Sequence, residues 1–496
     1  MKRVLFIAVD SADKAVLLDM EASGKLPILT ALRRNGTCLE VSTPPGLGND
    51  ALWASLYTGV GPATHGRFFP YQLRSGTYRV ERCPLTSIEQ PMLWQLASDA
   101  GHQVAVLDLA LAPLSKNLNG VQLVDWTVHE REYDRVCSYP PALAASVVDQ
   151  YGRDPVDRCD LYGSAPEDVN RLHADLISRI GKKEALVRDY LDRGDYSFVM
   201  TAYHEPHCIG HQAWPRHDPG RDEGDASPGA ARPDPVEAVY AAVFASIGRL
   251  LEHAGGDWTA IVFSGPGMGP NASASLLLPE VLRRLQLNAP AVPNAVTGLK
   301  AVYRNFMPES VRQRARRIAD WFDARLMSWG RGATQAFAVP HGDGGGAIRI
   351  NVIGREPSGR IAPGEPYESY CRQLISDLLE LIDADTGEPA VRRVLRTAEL
   401  YDGPKRAPIE DLIVEWNADT PLHGVRSPKV GEVRFDRGRA RGGDHRPGGL
   451  FLANVATPEP HENVGPISVM DVSATIAAAA EMTIPGAEGK ALDGLA

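Results

Sequence analysis

Thr259-Ala260-Ile261-Val262-Phe263, followed directly by Ser264-Gly265-Pro266-Gly267-Met268-Gly269, is the stretch that decides the fold of this 496-residue chain. The first five residues form an apolar run, which predicts a strand buried in the interior of a sheet. The six residues that follow include three glycines and one proline. Glycine has no side chain and the proline ring has no donor atom, so neither Gly265 nor Pro266 can hold a metal through its side chain.

Similar apolar runs recur along the chain and alternate with helical patterns. This alternation predicts an α/β fold with a mostly parallel central sheet sandwiched by helices. The other predicted strands are Val4–Val9, Val104–Leu109, Tyr196–Ala202, Asp411–Trp416 and Gly449–Ala453. The predicted helices are Leu26–Arg34, Asp50–Tyr57, Pro91–Ala100, Ala165–Asp192, Val236–His253, Glu368–Ile382 and Val472–Ala480.

Two stretches interrupt the alternation. Residues 215–235 are rich in proline, glycine, aspartate and arginine and predict a long mobile loop. Residues 271–334 have an arginine-rich helical centre, which predicts a cap or insertion over the sheet. The α/β core is therefore expected to comprise residues 1–270 and 335–496.

The overall composition restricts the class of partner. The formal net charge of −10 argues against a nucleic-acid-binding surface, which usually carries a basic excess, but it is compatible with a small anionic substrate. No run approaches the roughly 20 apolar residues that a membrane span needs, so no membrane association is expected. The six cysteines are scattered without a C-x-x-C pair, which is typical of a cytoplasmic protein. The sequence leaves the oligomeric state open.

Two histidines at helical spacing are the strongest metal-binding signal. Pro206 suits the first turn of a helix, and His207 and His211 then lie at i and i+4 on one helix face, roughly 5–6 Å apart at Cβ. Both imidazoles can reach one ion at that spacing. An isolated H-x-x-x-H pattern is common on helix surfaces, so the pair needs support from elsewhere in the chain.

That support comes from segments that resemble, in order, the type I phosphodiesterase/nucleotide pyrophosphatase branch of the alkaline phosphatase superfamily. They are Val9–Asp13 with Gly24–Leu32 and Gly36; Thr43–Pro45 with Trp53–Gly59, Pro62 and His65-Gly66; His211–Trp214; Ala347–Asn351 with Gly354–Pro357; and Gly443–Arg446 with Gly449–Phe451. The resemblance implies an alkaline-phosphatase-like fold. It also implies a hydrolase in which two metals, usually zinc, flank a threonine or serine nucleophile at a helix N-terminus.

One of the two implied metal sites is damaged in this chain. Asp10 matches its first-strand aspartate, but Gly265 and Pro266 stand where the family has an aspartate and a histidine. Counting back from Trp53 puts Asn49 at the nucleophile position, with Asp50 beside it, and Asp50 is a possible metal ligand if the register slips by one residue. An amide is a poor nucleophile, and Asn49 is equally well explained as a helix N-cap.

The other implied site is kept but altered. His211 and His445 match family ligands, whereas His207 stands where the family has an aspartate. The sequence therefore predicts one divalent ion on His207, His211 and His445, with Glu205 or Asp10 as a possible carboxylate ligand. Zinc is favoured, and iron, copper or manganese also suit imidazole with carboxylate.

Three functions follow from this pattern. The first is a one-metal hydrolase that activates water against a phosphate, phosphonate or sulfate ester. Its candidate catalytic residues are Asn49, Asp50 and Glu205, and its candidate anion-binding residues are Arg349 and Arg446. The second is a metalloenzyme diverged to lyase or oxidative chemistry, and the third is a non-catalytic binding protein on the same scaffold.

Overall fold

The computed structural model describes residues 2–128, 131–133, 135–156, 159, 165–217, 234–286, 330–341, 344–417, 421–435, 442–456 and 465–494. The chain forms two compact units. Unit 1 comprises Met1–Phe68, Pro84–Asn271 and Arg439–Ala496, and unit 2 comprises Phe69–Cys83 and Ala272–Gly438. In the part of the chain that is described, no helix combines the length and hydropathy that crossing a membrane would require.

The described strands and helices are numbered in chain order. The strands are β1 Arg3–Val9, β2 Thr37–Ser42, β3 Tyr71–Leu73, β4 Val80–Arg82, β5 Val104–Leu107, β6 Gly120–Val124, β7 Cys137–Tyr139, β8 Phe198–Tyr203, β9 Trp258–Ser264, β10 Gly267–Pro270, β11 Ala336–Val339, β12 Gly346–Ile350, β13 Ile382–Asp383, β14 Val391–Arg396, β15 Leu412–Trp416, β16 Gly424–Ser427, β17 Gly431–Arg434, β18 Gly443–Arg446, β19 Gly449–Ala453 and β20 Ile467–Ser468. The helices are α1 Lys14–Ala22, α2 Pro27–Asn35, α3 Asn49–Thr58, α4 Pro62–His65, α5 Leu93–Asp99, α6 Leu143–Tyr151, α7 Pro166–Asp192, α8 Glu205–His217, α9 Pro235–Ala254, α10 Leu278–Leu285, α11 Glu365–Leu379, α12 Thr397–Leu400 and α13 Val469–Ala479.

Unit 1 is organised around a nine-stranded sheet in the order β20-β2-β19-β9-β1-β8-β5-β6-β7. Strands β9, β1, β8, β5 and β6 pair in parallel, as do β2 and β20. Strands β19 and β7 run antiparallel to their neighbours. The predicted α/β class with a mostly parallel central sheet is confirmed.

The central strand β1 shows why these segments are continuous apolar runs. Leu5, Ile7 and Val9 belong to one hydrophobic cluster, which includes side chains of α1, α2, α7 and α9. The alternate residues of the strand belong to a second cluster, which includes side chains of α3, α5 and α13. Since successive side chains of a strand point to opposite faces, a strand covered by helices on both sides must be apolar at every position.

Unit 2 has its own sheets and its own hydrophobic cluster. A four-stranded antiparallel sheet has the order β11-β12-β15-β14, a three-stranded sheet the order β13-β16-β17, and β3 pairs with β4. The predicted strand Asp411–Trp416 was expected in the main sheet, but it forms β15, Leu412–Trp416, of the four-stranded sheet instead. Residues 335–438 therefore lie in unit 2, although the sequence division placed them in the core.

The two stretches that interrupt the predicted pattern lie mostly outside the described residues. Of the predicted loop 215–235, positions 218–233 are not described. Of the predicted arginine-rich insertion 271–334, positions 287–329 are not described. The described beginning of that insertion contains α10, which packs in the hydrophobic cluster of unit 2 through Leu278, Val281 and Leu282.

Candidate metal centre

Two adjacent parallel strands deliver the first residues of the site to the same edge of the main sheet. Val9 of β1 is in register with Tyr203 of β8, so the residues that follow, Asp10 and His204, emerge side by side. Helix α8 begins at Glu205, immediately after β8, and carries His207 and His211 on one face. The strand-to-helix turn therefore places both histidines next to the end of β1.

A short antiparallel pair supplies the third histidine. Strand β10, Gly267–Pro270, pairs with β18 so that Met268 lies opposite His445. The backbone N–H of Gly442 donates to the carbonyl oxygen of His211 at 2.9 Å, which ties β18 to α8. The stretch that lacks metal-binding side chains thus still positions His445 through its backbone.

Glycines allow α8 and β18 to approach each other so closely that their backbones are in contact. A Cβ atom added to Gly443 would overlap the carbonyl oxygen of Gly210 and would lie 3.0 Å from its carbonyl carbon and from the Cβ of Trp214. A Cβ added to Gly210 would lie 2.8 Å from the Cγ of Met268. Glycine is needed at position 443 because any side chain there would push the strand away from the helix.

His207, His211 and His445 converge, as the sequence predicted. Their ring centroids are 4.6, 4.8 and 5.0 Å apart, and one ring nitrogen from each lies within 4.8 Å of the others. Nitrogens separated by at most 4.8 Å share a centre about 2.8 Å from each, compared with about 2.0–2.1 Å for a zinc–nitrogen bond. Closing of the rings by less than 1 Å is therefore enough to bind one ion.

The Nδ1 atoms of all three rings have partners outside the cluster. His207 Nδ1 lies 2.9 Å from Asp10 Oδ2, and His211 Nδ1 lies 2.9 Å from the carbonyl oxygen of Gly443. His445 Nδ1 lies 3.2 Å from Ser11 Oγ, which in turn donates to Asp10 Oδ1 at 2.9 Å. An imidazole whose Nδ1–H donates to such a partner binds a metal through Nε2.

Asp10 lies behind His207, on the Nδ1 side of the ring, and is not a member of the three-nitrogen group. It is buried, and burial by itself would raise the pKa of its carboxyl group. The charges and hydrogen bonds of His207 and His204 outweigh burial and hold that pKa well below its usual range. His204 Nδ1 lies 3.4 Å from Asp10 Oδ2, so the carboxylate is shared by two imidazoles.

Asn49 and Asp50 form the first turn of α3 and are both buried. The helix N-cap is Gly48, so Asn49 is the first helical residue and not the cap. Asp50 forms a buried ion pair with Arg67, whose Nε donates to Asp50 Oδ1 at 2.9 Å and whose Nη2 donates to the same oxygen. Sequence reasoning missed Arg67, since nothing in the sequence distinguishes a buried arginine from a surface one.

Glu205 is fully buried at the start of α8, two residues before His207 and therefore on a different side of the helix. Among the described residues, neither of its carboxylate oxygens has a hydrogen-bond partner. Burial raises the pKa of this carboxyl group, and the charges of Lys183, Arg179 and His204 oppose that rise. The structure does not bring Glu205 into the three-histidine group.

The two predicted anion-binding arginines lie in different units. Arg349 is buried in unit 2, where it donates to Glu356 at 2.7 Å and to the carbonyl oxygens of Ala407 and Ile409 at 3.1 and 2.6 Å. Glu356 and two backbone carbonyl groups therefore hold this guanidinium group inside unit 2. Arg446 ends β18 in unit 1 next to His445, and a Cβ added to Gly269 would overlap its guanidinium group.

Buried charges of α7 lie near the end of β8 and were not singled out from the sequence. Lys183 Nζ donates to the carbonyl oxygen of Ala202 at 2.5 Å and lies 3.2 Å from Asp108 Oδ2. Arg179, one turn earlier, donates from Nε to Asp154 Oδ1 at 2.9 Å. The sequence signal that could have identified them is the spacing of Arg179 and Lys183, two cationic residues at i and i+4 of an amphipathic helix.

Comparison with known proteins identifies relatives of the whole fold. A family model described as type I phosphodiesterase / nucleotide pyrophosphatase matches residues 4–420. Phosphonoacetate hydrolase from Sinorhizobium meliloti 1021, in complex with phosphonoformate, has a TM-score of 0.51 and 15% identity over 95% of this chain and 94% of its own. Wild-type alkaline phosphatase PafA has a TM-score of 0.54 and 12% identity over 99% of this chain and 98% of its own. The search of curated proteins finds no match.

Proposed function

Since the chain belongs to the type I phosphodiesterase / nucleotide pyrophosphatase family, we propose that it hydrolyses a small anionic ester or phosphonate with one divalent ion held by His207, His211 and His445. The family match confirms the predicted family and the predicted hydrolase type. The number of ions, their identity and the substrate are the parts that the proposal adds.

The observation that carries the proposal is the arrangement of the three Nδ1 atoms. Each lies next to an oxygen of Asp10, Gly443 or Ser11 that fixes the ring, and Nε2 is the nitrogen that we propose to bind the ion. Histidine ligands of metals characteristically donate their other ring N–H to a carboxylate, carbonyl or similar acceptor. Three neutral imidazoles with an open position suit zinc, which remains the favoured ion.

A single ion is proposed because the residues at the other family site cannot replace its ligands. Gly265 and Pro266 offer no side-chain donor atom, and Asp50 is engaged by Arg67 in a buried ion pair. In the part of the chain that the structure describes, the three histidines are the one group of three or more potential ligand side chains that converges.

When bound, a divalent ion supplies Lewis-acid catalysis and activates water at neutral pH. The neutral imidazoles leave its charge uncompensated, which favours an anionic substrate. Arg446, adjacent to His445 in the sequence, is the proposed partner for the anion in unit 1. Phosphate, sulfate and phosphonate compounds are the proposed substrate classes, and phosphonates are supported by the fold shared with a phosphonoacetate hydrolase.

The experiment that tests the proposal is the metal content of protein purified without added metal, measured by mass spectrometry for wild type, His211→Ala and His253→Ala. His253 is a matched control because its partner is Asp192, at 2.6 Å on the surface of unit 1. We expect one equivalent in wild type and in His253→Ala, and none in His211→Ala. Wild-type turnover of nitrophenyl phosphate, sulfate or phosphonate esters should depend on that ion.

Other results overturn particular parts of the proposal. Two equivalents in wild type would refute the single-ion site and restore ordinary two-metal hydrolysis. Bound iron or copper, without turnover of any ester, would favour the diverged metalloenzyme. No bound ion, and none taken up on adding zinc, would refute metal-dependent hydrolysis and favour a binding protein.

A further inference from the structure

We propose that Asp10 is a positioning residue that orients the metal-binding histidines from behind, and not a ligand of any metal. This inference rests on the proposed function, because it requires an ion at the three histidines. It departs from the sequence expectation, in which Asp10 was a metal ligand. It also gives a physical reason for the histidine at position 207.

Both oxygens of the Asp10 carboxylate are already engaged inside the protein. Oδ2 lies 2.9 Å from His207 Nδ1 and 3.4 Å from His204 Nδ1, and Oδ1 accepts from Ser11 Oγ at 2.9 Å. The residue is 3% exposed, so water does not compete for these contacts. A carboxylate bonded in this way fixes the orientation of an imidazole and increases the basicity of its far nitrogen.

Ser11 extends the influence of Asp10 to a second histidine. Its hydroxyl hydrogen goes to Asp10 Oδ1, so Ser11 Oγ accepts the Nδ1–H of His445 at 3.2 Å. Ser11 has a φ of +62°, an uncommon conformation for a residue with a side chain, and such outliers concentrate at functional sites. One carboxylate at the end of β1 therefore orients His207 directly and His445 through Ser11.

The residue at position 207 decides which role Asp10 takes. An aspartate there, as the family resemblance implies, would place a second carboxylate next to Asp10 in a buried site, and the like charges would repel each other. A histidine at position 207 instead donates its Nδ1–H to Asp10, and its Nε2 is the proposed ligand of the ion. With Gly265 and Pro266 unable to ligate, the structure assigns the remaining carboxylate of that site to supporting the three-histidine site.

The test is the zinc affinity of Asp10→Asn, measured by chelator competition alongside wild type and Asp192→Asn. Asp192 forms a carboxylate–histidine pair with His253 at 2.6 Å but is 61% exposed, so it controls for loss of such a pair elsewhere. We expect Asp10→Asn to bind one equivalent with roughly 10- to 100-fold weaker affinity, which is the usual effect of removing such a partner. Asp192→Asn should match wild type.

Zinc X-ray absorption separates a positioning residue from a ligand. For a positioning residue, the spectra of wild type and Asp10→Asn show the same three imidazole ligands. Ser11→Ala provides a milder second variant, with an expected affinity loss smaller than that of Asp10→Asn. Loss of an oxygen ligand from the spectrum of Asp10→Asn would overturn the inference.

A double-mutant cycle tests whether Asp10 acts through His207. In a His207→Asp background we expect Asp10→Asn to leave zinc affinity unchanged or to raise it, because the donor that Asp10 orients is gone. The same loss in both backgrounds would overturn the inference, as would unchanged affinity of Asp10→Asn in the wild-type background. Wild-type protein that binds no zinc would instead overturn the proposed function.

Discussion

Gly443→Ala should weaken metal binding although residue 443 offers no side chain to the ion. The added methyl group would overlap the carbonyl oxygen of Gly210, between His207 and His211, and would lie 3.0 Å from the Cβ of Trp214. Neither neighbour is the flexible end of a side chain, so α8 and β18 have to separate. That movement also disturbs the contact of 2.9 Å between the carbonyl oxygen of residue 443 and His211 Nδ1.

The size of the effect follows from the cost of overpacking, about 1–3 kcal/mol for an extra methyl group in a close-packed region. If relaxation of the backbone moves His445 away from α8, this energy opposes ion binding. This energy then corresponds to a zinc dissociation constant raised roughly 5- to 150-fold, because 1.4 kcal/mol changes an equilibrium constant by a factor of ten. Gly210→Ala should cost less, since its methyl group would meet the Cγ of Met268 at 2.8 Å and that side chain can move.

The assay is chelator competition for zinc with wild type, Gly443→Ala and the control Gly181→Ala. Gly181 lies in α7 and an added Cβ there meets nothing within 4 Å, so the control adds the same methyl group in open space. It should bind zinc like wild type and gain helix stability of about 1 kcal/mol. Wild-type zinc affinity in Gly443→Ala would refute the argument that backbone contact between α8 and β18 sets the site.

Two further predictions concern stability. Asp50→Ala leaves the buried cation of Arg67 without its carboxylate partner and should destabilise the protein by roughly 3–5 kcal/mol in denaturant unfolding. The control Lys14→Ala removes an exposed ion pair with Glu40 and should cost at most about 1 kcal/mol. Equal effects of the two variants would contradict this. Burial raises the pKa of Glu410 from 4.5 to about 7, so between these pH values the folded protein holds a proton that the unfolded chain has lost. The contribution of Glu410 to the free energy of unfolding should therefore fall by about 3 kcal/mol as pH rises from 4.5 to 7. Glu410→Gln should remove this contribution to the pH dependence of unfolding, whereas Asp125, whose pKa burial raises to about 6, keeps its own contribution. An unchanged pH dependence in Glu410→Gln would exclude Glu410 as a source.

The sequence predicted the main sheet well because a strand covered on both faces is apolar at every position, as in β1 and β9. The same signal misplaced the predicted strand Asp411–Trp416, a mostly apolar run that pairs with antiparallel strands of unit 2. Burial determines the composition of a strand, whereas its neighbours are determined by contacts far away in the chain. Sheet membership therefore could not be inferred from the run itself.

In the candidate site, too, features set by neighbouring residues were predictable from the sequence, whereas contacts between distant segments were not. The spacing of His207 and His211 placed them on one helix face, and the ordered resemblance brought in His445. The contact of Asp10 with His207 and the ion pair of Asp50 with Arg67 depend on side-chain directions across different elements. The roles of Asn49, Asp50, Glu205, Arg349 and Arg446 in catalysis or substrate binding stay predictions.

The division of unit 1 into three chain segments has a consequence for how the protein is made. His207 and His211 precede the long Ala272–Gly438 segment of unit 2, and His445 follows it. During synthesis His207, His211 and β10 leave the ribosome well before β18, which contains His445. An ion bound across them would close a loop of more than two hundred residues, and closing long loops is where a metal clip is expected to contribute most stability. Maturation of the protein would then depend on how much metal the cell supplies after β18 has been synthesised.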